Sequence, residues 1–123
     1  MGGLIEQSAD ARSKTIGSNF RCRAWANFSD NDHVIRGSGN ISSITNNTEY
    51  CTVNFTSNMP DTNYAIVGCS GDSGNASGCW LTTGYNIASV NTSNTTSSFR
   101  TQVYYQSSAT VSTVAFIYVA VFR

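Results

Sequence analysis

Charge is the scarcest property of this chain. Only 11% of its 123 residues are Asp, Glu, Lys or Arg, against about 25% in ordinary soluble domains. Seven basic side chains balance seven acidic ones, for a net charge of zero. A neutral chain with scattered arginines has no electrostatic stripe for nucleic acid and no polybasic patch for lipid. Little net charge also means little repulsion between copies. Long apolar runs are missing too. None reaches membrane-spanning length, and MGGLIEQSADARSKTIG at the start lacks the apolar core of a signal peptide. Secretion is therefore not expected. No stretch carries a convincing helical period, there is one histidine, His33, and there is one proline, Pro60.

Uncharged Ser, Thr and Asn fill the gap, beside a hydrophobic fraction of 40%. The length suits a single domain with one core. Residues 1–19 are polar and small, without a period, and read as an N-terminal arm that a partner would order. From Phe20 the pattern becomes period two, the signature of strands. In FRCRAWANF, the residues Phe20, Cys22, Ala24, Ala26 and Phe28 share a face. The turn cluster SDND follows, then HVIRGSGNISSIT, expected as one long strand bent near Gly37 and Gly39. YCTVNFT places Cys51, Val53 and Phe55 on one face. Pro60 cannot donate to a ladder, so it marks a corner where the chain passes from one sheet to another. Asp61 and Asn63 serve that turn, and Tyr64, Ile66 and Gly68 begin the next strand. About seven strands with frequent turn signals give an all-β antiparallel sandwich over residues 20–123.

The final strand, VSTVAFIYVAVF, is apolar on both faces. Val114, Phe116, Tyr118 and Ala120 point one way, and Ala115, Ile117, Val119 and Val121 the other. A strand covered on one side alternates more cleanly. A second covering is expected from a neighbouring subunit, with Phe116, Ile117 and Tyr118 as candidate interface residues. Trp25, on the polar face of its strand, joins them as an interface or cation–π residue.

Four cysteines, Cys22, Cys51, Cys69 and Cys79, match no zinc spacing. They are expected to be reduced, with Cys69 and Cys79 the pair most able to meet across one glycine-rich loop. His33 lies beside Ser29, Asp30 and Asp32 in one turn, which is poor geometry for acid–base work across a cleft. Calcium ligation by Asp30, Asn31 and Asp32, or by Asp72 with Asn75, falls short of known loops in ligand number. No enzyme activity, no cofactor and no resident metal are expected. The loop GCSGDSGNASGCW offers Asp72, Asn75 and Trp80, with Tyr85 and Asn91 near, as a candidate glycan-binding surface; a plain connector is the other reading. The seven N-x-S/T triplets follow from an Asn-, Ser- and Thr-rich composition.

Four blocks in order, AWANF, VIRGSGNISSIT, YCTVNFTSNMPDTNYAIVG and VAVFR, resemble a C-terminal β-domain of bacteriophage virion surface and tail-fibre proteins, often of cyanophages and marine phages. The resemblance covers about Phe20 to Arg123. Cys51 stands where that family often has Tyr, and SDNDH replaces a glycine-rich turn. The resemblance implies a structural protein of the virion surface, made in the bacterial host cytoplasm. It implies a β-structured homotrimer at a tail-fibre tip that contacts other virion proteins and presents loops to host surface glycan. The short arm, where a fibre has a long shaft, also suits a capsid decoration (cement) protein held on the major capsid protein by residues 1–19.

Overall fold

The computed structural model describes residues 21–47, 50–71, 79–83, 94–105 and 114–123, with the backbone alone at 79–80, 82–83 and 104–105. The stretch expected as an N-terminal arm lies outside the described residues. The described residues form eight strands: β1 Cys22–Phe28, β2 Ile35–Gly39, β3 Ile41–Asn46, β4 Cys51–Phe55, β5 Ala65–Gly71, β6 Cys79–Thr83, β7 Ser98–Tyr105 and β8 Phe116–Phe122. They form two four-stranded sheets, in the orders β2-β1-β8-β5 and β3-β4-β7-β6. Every pairing is antiparallel. The protein is an all-β sandwich.

The extra strand arises inside HVIRGSGNISSIT. The β1–β2 register shifts beside Gly37, where Arg36 is skipped, as the glycine suggested, but the run also breaks outright at Asn40, which adopts φ 56°. Asparagine tolerates this left-handed conformation better than most residues. The break lets β2 stay with β1 while β3 joins the other sheet. The Asn40 side chain holds the break. Its Nδ2 donates to the carbonyls of Arg23 (3.2 Å) and Ser57 (3.1 Å), and its Oδ1 accepts from Ser57 N–H at 2.7 Å. The amide nitrogen that a sugar would occupy is thus already engaged, as is that of Asn54, which donates to Ser43 and Thr45.

Pro60 sits at the second crossing, between β4 of one sheet and β5 of the other. Asp61 Oδ1 accepts from Asn63 N–H at 2.8 Å and closes the turn. Tyr64 then reaches inward, its hydroxyl 2.8 Å from Thr95 O and 2.9 Å from Ser98 O at the entry to β7.

The core fills the space between the sheets. One sheet contributes Ala24, Ala26, Phe28, Ile117, Val119 and Val121; the other contributes Ile41, Cys51, Val53, Phe55, Phe99 and Val103. The alternation in β1 and β4 therefore has the meaning that period two implies. Phe55 packs against Tyr64 and Phe99 with ring centroids 5.7 and 5.6 Å apart. Two residues depart from the expected faces. Cys22 is exposed, because the β1–β8 register shifts between Cys22 and Ala24. Val114 is fully buried rather than facing out with Phe116, because it precedes β8 and a bend at Ala115.

Candidate functional site: the outer face of one sheet

The register of β2-β1-β8-β5 sets two rows across its outer face. One row runs Gly39, Trp25, Ala120, Val67; the next runs Gly37, Asn27, Tyr118, Cys69. Neither row contains a charged residue. Trp25, Tyr118 and Val67 are 46%, 41% and 54% exposed, so large apolar side chains stand in solvent on adjacent strands. A groove of about 400 Å³ runs between them, lined by Trp25, Asn27, Val67, Tyr118 and Ala120.

Glycines form the floor under the aromatic rings. A Cβ added to Gly39 would lie 2.5 Å from Trp25 Nε1, and one added to Gly37 would lie 3.3 Å from the far edge of the indole. The indole therefore lies across β2 and covers its backbone. Phe116 lies over Gly71 in the same manner and meets Tyr118 with ring centroids 5.4 Å apart. These glycines provide room for rings that lie along the sheet. In the groove, the Oδ1 of Asn27 is buried without a hydrogen-bond partner. A buried acceptor left open has a cost that an arriving donor removes.

Of the expected interface residues, Trp25, Phe116 and Tyr118 come together on this face. Ile117 does not. It is 1% exposed and points between the sheets, because a strand alternates its side chains and the opposite face of β8 is the domain's own core. The covering of β8 is therefore intramolecular on the Ile117 face, while among the described residues none covers the Tyr118 face. Among the described residues Trp25 makes no cation–π pair; such a contact is made by Arg100 over the ring of Tyr50, at 4.9 Å. Asn27, Val67 and Ala120 also line the groove. The pairing of β5 with β8 was the missing information, since only the ladder places Val67 beside Ala120.

The candidate glycan residues Asp72, Asn75 and Tyr85 lie outside the described residues, as does the side chain of Trp80. Cys22, Cys51 and Cys69 are free thiols; the side chain of Cys79 lies outside the described residues. The SDND turn is a structural turn: Ser29 N–H donates to Val34 O at 3.1 Å, and Asp32 Oδ1 accepts from Val34 N–H at 3.2 Å. The hydrogen bonds from Ser29 and Val34 hold the Asp32 carboxyl below the usual range. No helix among the described residues is long and apolar enough to cross a membrane.

Apart from the exposed thiol of Cys69, the two rows of the outer face offer contact area. Comparison of the chain with known protein families, with curated proteins and with solved structures finds no match.

Proposed function

We propose that this chain is a non-enzymatic structural protein of a bacteriophage virion surface, that its copies assemble through the outer face carrying Trp25 and Tyr118, and that the assembly is a homotrimeric, tail-fibre-like tip presenting loops to host glycan. The observation that carries the assembly reading is the two uncharged rows across that face, with Trp25, Val67 and Tyr118 exposed. Tryptophan and tyrosine are enriched where interfaces form, and charge is depleted there. The setting on a virion is supported by the four sequence blocks and their order.

Size constrains the assembly. Four strands about 4.8 Å apart and some seven residues long give a face of roughly 19 by 23 Å. A standard interface takes about 800 Å² from each partner. The sheet face supplies about half of that, so flanking loops complete the contact.

Sedimentation of the purified chain tests the assembly: a discrete oligomer is expected, and a Tyr118→Asp variant that sediments as a folded monomer. A wild-type chain that remains monomeric at all accessible concentrations overturns it. Copy number per particle, from quantitative mass spectrometry of virions, tests the location. A few to a few tens of copies fit a tail tip; hundreds would make the protein a capsid decoration protein instead.

A further inference from the structure

We propose that Asp30, His33 and Cys51 form a binding site for a divalent transition metal ion, zinc by the chemistry of the donors. Asp30 and His33 come from the β1–β2 turn and Cys51 from the first position of β4. Their ligating atoms all lie within 4.8 Å of one another. One thiol, one imidazole and one carboxylate make a set of sulfur, nitrogen and oxygen donors that suits zinc and is wrong for calcium or magnesium.

The surroundings point the same way. Asp30 and Cys51 are 7% and 3% exposed. The Asp30 carboxylate accepts from the Cys51 thiol at 3.0 Å and from Val114 N–H at 3.4 Å, and meets no cationic side chain among the described residues. A buried carboxylate without a cation is an expensive arrangement. An independent observation comes from the neighbouring strand. Thr101 pairs directly with Cys51 across the β4–β7 ladder, so both side chains lie in the same interior layer. Thr101 is 1% exposed, yet its Oγ1 has no hydrogen-bond partner. A zinc ion with three protein ligands keeps a fourth position for water, and the open Thr101 hydroxyl is placed to hydrogen-bond that water.

His33 completes the site from the solvent side. It is half-buried and adopts φ 59°, in a turn fixed by the Ser29 and Asp32 hydrogen bonds. Tetrahedral zinc sets its ligands roughly 3.3–3.8 Å apart, so the turn must close slightly on Cys51. Binding converts the Cys51 thiol to a metal-bound thiolate, and its proton leaves to solvent. Position along the chain hid the set: Cys51 opens β4 while the other two ligands lie in the β1–β2 turn, so no local spacing motif arises.

The test uses the full chain with Cys22, Cys69 and Cys79 changed to Ser, leaving Cys51 as the only thiol, and cobalt(II) as probe. One equivalent of cobalt should give a thiolate-to-metal charge-transfer band, and zinc should displace it. Zinc at about a hundredfold over its dissociation constant should raise Tm by about 5 °C or more. His33→Ala, at a partly exposed turn position, should stay folded and weaken cobalt binding by at least about tenfold. Thr101→Val should keep the band and weaken binding less. A missing band, or a His33→Ala variant that binds cobalt as tightly as its parent, overturns the proposal. Cys51→Val should abolish the band, and should it fail to fold the His33→Ala comparison decides alone.

Discussion

Arg123 grips Asp61 with two parallel hydrogen bonds: its Nε donates to Oδ1 at 2.9 Å and its Nη2 to Oδ2 at 2.6 Å. The pair joins the end of VAVFR to the corner of SNMPDTN, two blocks that are far apart in sequence. Backbone contacts extend the joint, since Arg23 Nε donates to Arg123 O at 2.8 Å and Arg123 N–H donates to Arg21 O at 3.3 Å. The residues that looked like a motif are therefore a structural clasp.

The clasp should be visible in acid. Hydrogen bonds from Arg123 and from Asn63 N–H hold the Asp61 carboxyl below its ordinary range. A depressed carboxylate contributes stability above the unfolded pKa, about 3.9, and loses it as pH falls through the folded value. Wild type should exceed Asp61→Asn in urea midpoint at pH 6, with the gap closing below about pH 4. A gap that is constant down to pH 2 would dissociate the clasp from the carboxylate's charge.

The indole of Trp25 needs the bare backbone of Gly39. Gly39→Ala should cost about 1–3 kcal/mol through overpacking and alter Trp25 fluorescence. In a Trp25→Ala background the same change should cost only a few tenths, because the obstructing ring is gone. Equal costs in both backgrounds, measured by denaturant titration, would refute the contact.

Adjacent residues of β8 should behave in opposite ways. Ile117→Asp buries a charge in the core and should abolish folding, and Ile117→Ala should cost about 2–5 kcal/mol. Tyr118→Asp should leave the circular dichroism spectrum and monomer stability within about 0.5 kcal/mol of wild type, as surface changes do, while dissociating the oligomer. An unfolded Tyr118→Asp chain would place that side chain in the core.

Tyr64 should report on alkaline stability. Burial pushes its phenol up to about 12. An acid whose folded pKa is raised contributes stability that is complete below its unfolded value, about 10, and is lost as pH rises toward the folded one. Tyr64→Phe should cost about 1 kcal/mol at neutral pH for the lost hydrogen bond. It should also unfold less steeply between about pH 10 and 12 than wild type does. Identical alkaline profiles for the two proteins would exclude Tyr64 as the titrating group.

Local pattern made much of the sandwich readable in advance. Period two in YCTVNFT placed Cys51, Val53 and Phe55 in the core, where they are, and the single proline marked the crossing between sheets. What local pattern cannot carry is pairing. The split at Asn40 depends on bonds from its side chain to Arg23 and Ser57, residues on other segments. The exposure of Cys22 depends on a register shift against β8. Which apolar face of β8 is core was likewise undecided until the second sheet lay against Ile117. The groove exists only because β5 lies beside β8, and the Asp30–Cys51 contact only because the β1–β2 turn caps the end of β4.

The place of β8 constrains how the chain reaches this structure. It is the last described strand in sequence and an inner strand of its sheet, lying between β1 and β5. Until it arrives, β1 and β5 have no common neighbour, and each presents an open edge of unpaired N–H and C=O groups. Closing such distant pairings comes late and is slow, in the millisecond-to-second regime of high-contact-order β-proteins. Val119→Ala should therefore slow refolding in stopped-flow experiments if β8 docking is the rate-limiting step; a change in unfolding rate alone would place docking after it. A chain interrupted before β8 is left with two exposed edges and half a core, and its natural fate is aggregation rather than a smaller domain.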